Sequence, residues 1–248
     1  MSIWGKIIGG VAGFAIGGPL GGIIGTAFGH AIDRSTSKHR AGGEFASVQT
    51  RQTAFTVGVI VLSAKMAKAD GKVTREEIDT FKKIFNIPSD ELREVGRLFD
   101  EAKRDADGYE PYARQIADLF VHDPAVLENL LGGLFQIALA DGVIHRDELN
   151  FLKNVSREFH FNDNTFERIR AVYDGAEQVN PYEVLGIRRD STEQEVKQAY
   201  RKLIKEHHPD TLIAQGMPQE FVDMANKKVA QINAAYEKIE NYRASSGG

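Results

Sequence analysis

The feature that most constrains this chain is a stretch of 26 residues, 7–32, without a single Asp, Glu, Lys or Arg. As an α-helix the stretch would be about 39 Å long, whereas a bilayer core is about 30 Å thick. Glycine recurs at every fourth position in and just before it, at Gly5, Gly9, Gly13, Gly17, Gly21, Gly25 and Gly29. In water so many glycines would disfavour a helix, but in lipid the backbone has no other hydrogen-bond partner. Residues 1–33 are therefore predicted to form a transmembrane helix.

The spacing of the glycines also predicts how that helix packs. Small residues four apart form a groove in which a second helix can approach closely. We therefore expect the chain to form a homodimer through the transmembrane helix, with these seven glycines in the contact.

Pro19 leaves the path of the segment open. It either kinks a single crossing or turns a hairpin between residues 7–18 and 20–32, whose arms are too short to cross a bilayer. A cleaved signal peptide is the third alternative, although no cleavage site stands out. The basic residues after the segment, Arg34, Lys38 and Arg40, outnumber Lys6 before it. By the positive-inside rule, a single crossing would leave the C-terminal bulk of the chain in the cytoplasm.

Composition excludes several classes of function. The chain contains no cysteine, which excludes disulfides, thiolate metal sites and a cysteine nucleophile. Its net charge of −4 argues against a general nucleic-acid binder. No phosphate-binding loop, dinucleotide fingerprint or nucleophile–base pair is recognisable, so we do not expect an enzyme.

Residues 34–50 are predicted to be a linker, and residues 51–175 an all-helical domain. The second region has apolar residues at the 3.6-residue period of helices and no convincing alternation typical of strands. Its predicted helices cover roughly 48–69, 74–86, 89–106, 112–121, 124–140, 145–159 and 163–174.

A short acidic motif occurs twice in this domain, as Ala-Lys-Ala-Asp-Gly at 67–71 and Ala-Leu-Ala-Asp-Gly at 138–142, each with a glutamate six residues after the glycine. The motif is typical of a helix that ends at glycine and a next helix with acidic residues in its first turn. Neither copy is an EF-hand, because the first ligand positions of that loop are apolar or basic here. Two hypotheses remain open: one divalent cation held by Asp70, Glu77, Asp141 and Glu148, or carboxylates that only cap helices.

The doubled motif in an all-helical domain of this size resembles the TerB domain of tellurite resistance. Some members of that family carry a cation site at such acidic turns. The resemblance therefore implies a TerB-like helical bundle in which a divalent cation can bind, although nothing in the sequence requires a cofactor.

Residues 180–243 have the most specific pattern in the chain. Asn180, Pro181 and Gly186 frame a short helix, and a second helix is predicted to start at Ser191 and to end near His208, because Pro209 disfavours helical geometry in the residue before it. A loop over 208–217 and a third helix from Pro218 follow. The second helix has a basic side formed by Lys197, Arg201, Lys202 and Lys205. Two antiparallel helices with facing apolar stripes would expose the turn His208, Pro209 and Asp210 at their tip.

This region resembles a J domain of the DnaJ family. The resemblance is carried by Tyr-Glu-Val-Leu-Gly at 182–186, Ala-Tyr-Arg-Lys-Leu at 199–203, His-Pro-Asp at 208–210 and Ile-Asn-Ala-Ala-Tyr at 232–236. It implies that the His-Pro-Asp turn and the basic side of the second helix bind a DnaK-type chaperone and stimulate its ATPase. The chemistry then belongs to the partner, whose conformational equilibrium this chain biases.

The order of the three modules resembles that of bacterial membrane-anchored DnaJ-like co-chaperones. The resemblance implies a single-pass protein of the bacterial inner membrane that recruits a DnaK-type chaperone to membrane-proximal clients. The alternative hypothesis is a stress or signalling scaffold that acts mainly through a cation-binding TerB-like domain.

Overall fold

The structure of the protein is a computed structural model, which describes residues 18–28, 48–69, 74–85, 87–104, 108–173, 180–215 and 217–246. Within these ranges every regular element is a helix, in agreement with the predicted all-α class. No helix in the same ranges is both long enough and apolar enough to cross a membrane.

The helices follow one another in three groups. The first group is a single helix, α1 (Gly18–Phe28). The middle group contains α2 (Val48–Ala69), α3 (Arg75–Ile84), α4 (Leu92–Ala102), α5 (Glu110–Leu119), α6 (Pro124–Ala138), α7 (Arg146–Glu158) and α8 (Asp163–Tyr173). The C-terminal group contains α9 (Pro181–Val184), α10 (Glu193–Glu206), α11 (Pro209–Ala214) and α12 (Gln219–Ser246). Each of the seven helices predicted in the middle of the chain corresponds to one observed helix.

Helix α2 is the centre of the middle group. Every side chain from Thr53 to Ala67 is buried, and the helix contacts α4, α5, α6 and α7. A helix that is apolar on all sides is typical of such a central position. Gly58 allows α5 to approach closely, since a β-carbon added there would lie 2.3 Å from Cδ1 of Ile116 on that helix.

Helix α1 packs on this group. Leu20 and Ile23 are buried in the same apolar core, and the backbone N–H of Leu20 donates to Oε1 of Gln115 on α5 over 2.9 Å. Gly18 has a φ of +59°, and Pro19 occupies the first helical turn, where its missing N–H leaves no bond unmade. Pro19 therefore lies in the first turn of the described helix, and the chain before Gly18, on which the choice between a kinked crossing and a hairpin depends, lies outside the described residues.

The predicted transmembrane helix lies mostly outside the described residues. Of its seven glycines, only Gly21 and Gly25 lie on α1. The other five, Gly5, Gly9, Gly13, Gly17 and Gly29, lie outside the described part of the chain. Their packing and the predicted homodimer stay predictions.

The C-terminal group forms the predicted helical hairpin. Val196 and Leu203 of α10 pack against Ile232 and Ile239 of α12, and α9 completes this small core. Two local predictions were wrong. Helix α10 begins after Thr192, not at Ser191, because the side chains of Thr192 and Glu195 form a reciprocal capping box.

The second wrong prediction concerns the loop over 208–217, most of which is helix α11. His208 accepts the N–H of Asp210 at the N-terminus of this helix, and Pro209 fits its first position. A proline that ends one helix therefore begins the next within three residues.

The C-terminal hairpin does not stand apart from the middle group. The ring of Phe221 on α12 lies 4.5 Å from that of Phe55 on α2 and 5.5 Å from that of Phe85. Leu212 of α11 and Met224 of α12 belong to the same core. The first turns of α12 therefore join the hairpin to the middle bundle.

Candidate functional site

The candidate site is the turn between α10 and α11 together with the outer side of α10. The two long helices of the hairpin hold it: the rings of Tyr200 and Tyr236 stack 4.2 Å apart, and the hydroxyl of Tyr200 donates to Oδ1 of Asn233 over 3.1 Å. At the other end, Arg243 donates to the carbonyl oxygen of Ser191 over 2.6 Å. These contacts hold the two helices of the hairpin together and fix the position of the turn at its tip.

The side chains of the His-Pro-Asp turn point into solvent. The side chain of His208 is 51% exposed and that of Asp210 is 80% exposed. Nδ1 of His208 lies 3.3 Å from the amide nitrogen of Asp210 and 3.4 Å from its carboxylate oxygen Oδ2. The His208 side chain thus stabilises the shape of the turn by accepting the N–H of Asp210, and the turn is accessible to a partner.

The basic side of α10 is mostly exposed: Arg201, Lys202 and Lys205 are exposed and Lys197 is half-buried. Lys197 pairs with Glu193 one turn earlier, and Nζ of Lys202 lies 3.9 Å from Oε1 of Glu206. Arg201 and Lys205 are exposed and have no ion-pair partner among the residues that the structure describes. Exposed cations beside the turn give this face a positive potential, which steers association with an acidic surface.

Immediately before the turn, sequence reasoning missed a buried charge cluster. Glu128 of α6 is the only charged residue in a helix that is otherwise apolar or amide-bearing, and its carboxylate has three cationic or basic neighbours. Oε1 lies 2.5 Å from Nη2 of Arg168 on α8, and Oε2 lies 2.5 Å from Nζ of Lys228 on α12. Nε2 of His207 lies 3.1 Å from the same Oε2, although off the direction of a straight hydrogen bond.

The charge state of the cluster follows from its burial. Burial alone would raise the pKa of Glu128, but the Lys228 ammonium, with His207 and Arg168, holds it well below its usual range. Burial, and next the charge of Lys228, lowers the pKa of His207 from 6.5 to about 4. Burial lowers the pKa of Lys228 as well, and the Glu128 carboxylate opposes that shift. At neutral pH the cluster therefore contains an ionised carboxylate and a neutral imidazole. The signal in the sequence was a lone glutamate in a helix that must be buried.

The acidic turns of the middle bundle act as helix caps. Oε2 of Glu77 accepts the N–H of Thr74 over 2.6 Å, and Oε2 of Glu148 accepts the N–H of His145 over 2.9 Å. Asp141 accepts the N–H of Val143 over 3.0 Å in an exposed turn. Asp70 lies outside the described residues, and within those that are described no three acidic or histidine side chains are grouped as a metal site would need. The cation site stays a prediction.

Comparisons with known proteins match all three modules. The family profile described as Co-chaperone DjlA transmembrane domain matches residues 1–42, Tellurite resistance protein TerB matches 56–171, and DnaJ domain matches 180–244. No solved structure matches.

Whole-chain relatives carry the same combination. The Co-chaperone protein DjlA of Photobacterium profundum is 32% identical over 270 residues, covering 96% of this chain and 98% of the relative. The protein of that name from Shewanella oneidensis is 32% identical over 266 residues, covering 98% and 99%. That of Coxiella burnetii is 32% identical over 268 residues, again covering 98% and 99%. The chain belongs to the DjlA family of membrane-anchored, J-domain co-chaperones.

Proposed function

We propose that this co-chaperone stimulates the ATPase of a DnaK-type chaperone through His208, Pro209 and Asp210. The observation that carries the proposal is the exposure of this turn directly beyond the basic side of α10, in a J domain whose α11 and first turns of α12 pack against the middle bundle. The partner would dock an acidic face on Lys197, Arg201, Lys202 and Lys205. Charge complementarity of this kind sets orientation and encounter rate more than final affinity.

The predicted transmembrane segment, residues 1–33, would determine where in the cell the chain stimulates the chaperone. A match to a transmembrane family profile over residues 1–42 supports attachment to a membrane. We propose a single-pass arrangement in the bacterial inner membrane with the C-terminal domains in the cytoplasm, since Arg34, Lys38 and Arg40 follow the apolar segment. The chain would then recruit the chaperone to clients near the membrane, as a homodimer held by the glycine groove.

The test is single-turnover ATP hydrolysis by a DnaK-type chaperone with the full chain in lipid nanodiscs. We expect the wild-type chain to accelerate hydrolysis and His208→Gln to abolish the acceleration without unfolding the protein. His122→Gln is the matched control, because His122 is an exposed histidine of the middle bundle. Equal stimulation by the wild type and by His208→Gln would refute the assignment of the turn.

A further inference from the structure

One carboxylate of the middle bundle holds both long helices of the J domain. Glu128 lies on α6, yet two of its three neighbours belong to the J domain: His207 directly follows α10, and Lys228 lies on α12. The side chains of Glu128, Lys228 and His207 are 8%, 9% and 1% exposed. His207 directly precedes His208 in the chain, so the contact between Glu128 and the J domain lies one residue from the turn proposed to bind the chaperone.

A second contact fixes the other end of the turn. Beyond α11, the side-chain amide of Gln215 donates to Oδ1 of Asp123 over 3.0 Å. Oδ2 of the same carboxylate pairs with Arg51 of α2 over 2.8 Å. The segment between His207 and Gln215, which contains the whole His-Pro-Asp turn, is therefore anchored to the middle bundle at both ends.

The apolar seam beside these contacts makes the attachment rigid. Phe221 lies between Phe55 and Phe85, which belong to the middle bundle. A packed aromatic cluster resists sliding more than a polar interface does, because interiors are packed to crystal-like density. The described contacts thus favour one orientation of the J domain, in which the turn and the basic side of α10 face solvent.

We propose that Glu128 is a positioning residue for chaperone activation: through His207 and Lys228 the TerB-like domain holds the J domain in the orientation that presents the His-Pro-Asp turn. This inference rests on the proposed function and assigns the TerB-like domain a part in it. Without the Glu128 carboxylate, Arg168 and Lys228 would be left buried beside each other without an anion, which opposes docking of the two domains. The J domain itself would keep its own small core.

Such a role predicts a specific kinetic signature. If only a tenth of the molecules keep the presenting orientation, the apparent half-saturating concentration rises about tenfold, while the rate at saturation is unchanged. A residue that acted on the chemistry would instead lower the saturating rate. The two roles are therefore separated by a full titration curve.

The test is single-turnover ATP hydrolysis by a DnaK-type chaperone over a range of concentrations of the full chain in nanodiscs. We expect Glu128→Ala to raise the half-saturating concentration about tenfold with the saturating rate unchanged. Glu158→Ala is the matched control, since it removes an ion pair with Arg114 elsewhere in the middle bundle. A Glu128→Ala curve that coincides with the wild type would overturn the inference.

A cross-link separates orientation from simple loss of stability. The chain has no cysteine, so Asp123→Cys with Gln215→Cys gives one pair that a short bis-maleimide reagent can bridge. We expect the bridge to restore the wild-type half-saturating concentration to Glu128→Ala. If Glu128→Ala does not fold, the test uses the double-cysteine variant with Glu128 intact. Stimulation that is equal before and after cross-linking supports the inference, and stimulation that is lost on cross-linking overturns it. Absence of stimulation by the wild type would refute the proposed function itself.

Discussion

The buried imidazole of His207 should make the fold sensitive to mild acid. Its pKa falls from 6.5 to about 4 in the folded chain, mainly because the ring is buried and next because Lys228 is close. Above pH 6.5 the ring is neutral in both the folded and the unfolded chain, so it contributes nothing to the pH dependence. Below pH 6.5 the unfolded chain binds a proton that the folded chain does not, so stability falls as the pH falls towards about 4.

The size of the effect follows from the shift. One pKa unit corresponds to about 1.4 kcal/mol, so the shift of this ring from 6.5 to about 4 lowers the free energy of unfolding by about 2–3 kcal/mol at a pH of about 4.5. Glu128 does not offset this loss in the same window, because its own pKa lies well below its usual value. The free energy of unfolding of a domain is only about 5–15 kcal/mol, so the loss is measurable.

The assay is urea unfolding of the full chain in detergent, followed by circular dichroism at neutral pH and at a pH of about 4.5. His207→Asn removes the titrating ring, and the difference in stability between the two pH values should shrink by about 2–3 kcal/mol relative to the wild type. Gly96→Ala is the control, because it changes no titratable group and has open space around it, and it should keep the wild-type pH dependence. An unchanged pH dependence in His207→Asn would refute the assignment of a buried neutral ring.

Three further predictions concern the rest of the molecule. Gly58→Ala should destabilise the chain by about 1–3 kcal/mol in urea unfolding, because the added methyl group would lie 2.3 Å from a side-chain carbon of α5. The control Gly96→Ala has open space around the added methyl group and should be neutral or stabilising by up to about 1 kcal/mol. Asp70→Asn with Asp141→Asn should leave ATPase stimulation unchanged, and calorimetry showing that the wild type binds Mg²⁺ or Ca²⁺ and the double variant does not would establish the cation site. Gly13→Leu should reduce the dimer fraction in nanodisc cross-linking.

Most of the helices follow from local sequence patterns, which is why they could be predicted. The period of apolar residues placed α6 at 124–140, against 124–138 in the structure, and the proline at its start fixed its first residue. The turn at 208–210 was predicted from its motif and is exposed as expected. These features depend on residues that are close together in the sequence, so local patterns are sufficient to predict them.

The contacts between the two domains could not be predicted in the same way. A periodic pattern shows that Phe221 lies on an apolar face, but it does not show which of two apolar surfaces that face meets. Glu128 and Lys228 are 100 residues apart, and their pairing depends on how the J domain packs against the middle bundle. The lone charge in α6 indicated that a partner must exist, because a buried carboxylate needs one, but not where it lies. Helix α11 was missed for a local reason, since Pro209 reads equally as a helix stop and as a helix start.

Hydrogen–deuterium exchange of the full chain with an ATP-bound DnaK-type chaperone tests the central claim most directly. The account predicts slower exchange on binding in residues 193–214, which contain the basic side of α10 and the His-Pro-Asp turn, and none of this protection in His208→Gln. Protection confined to the middle bundle, for example to α7, with no change in 193–214, would contradict it.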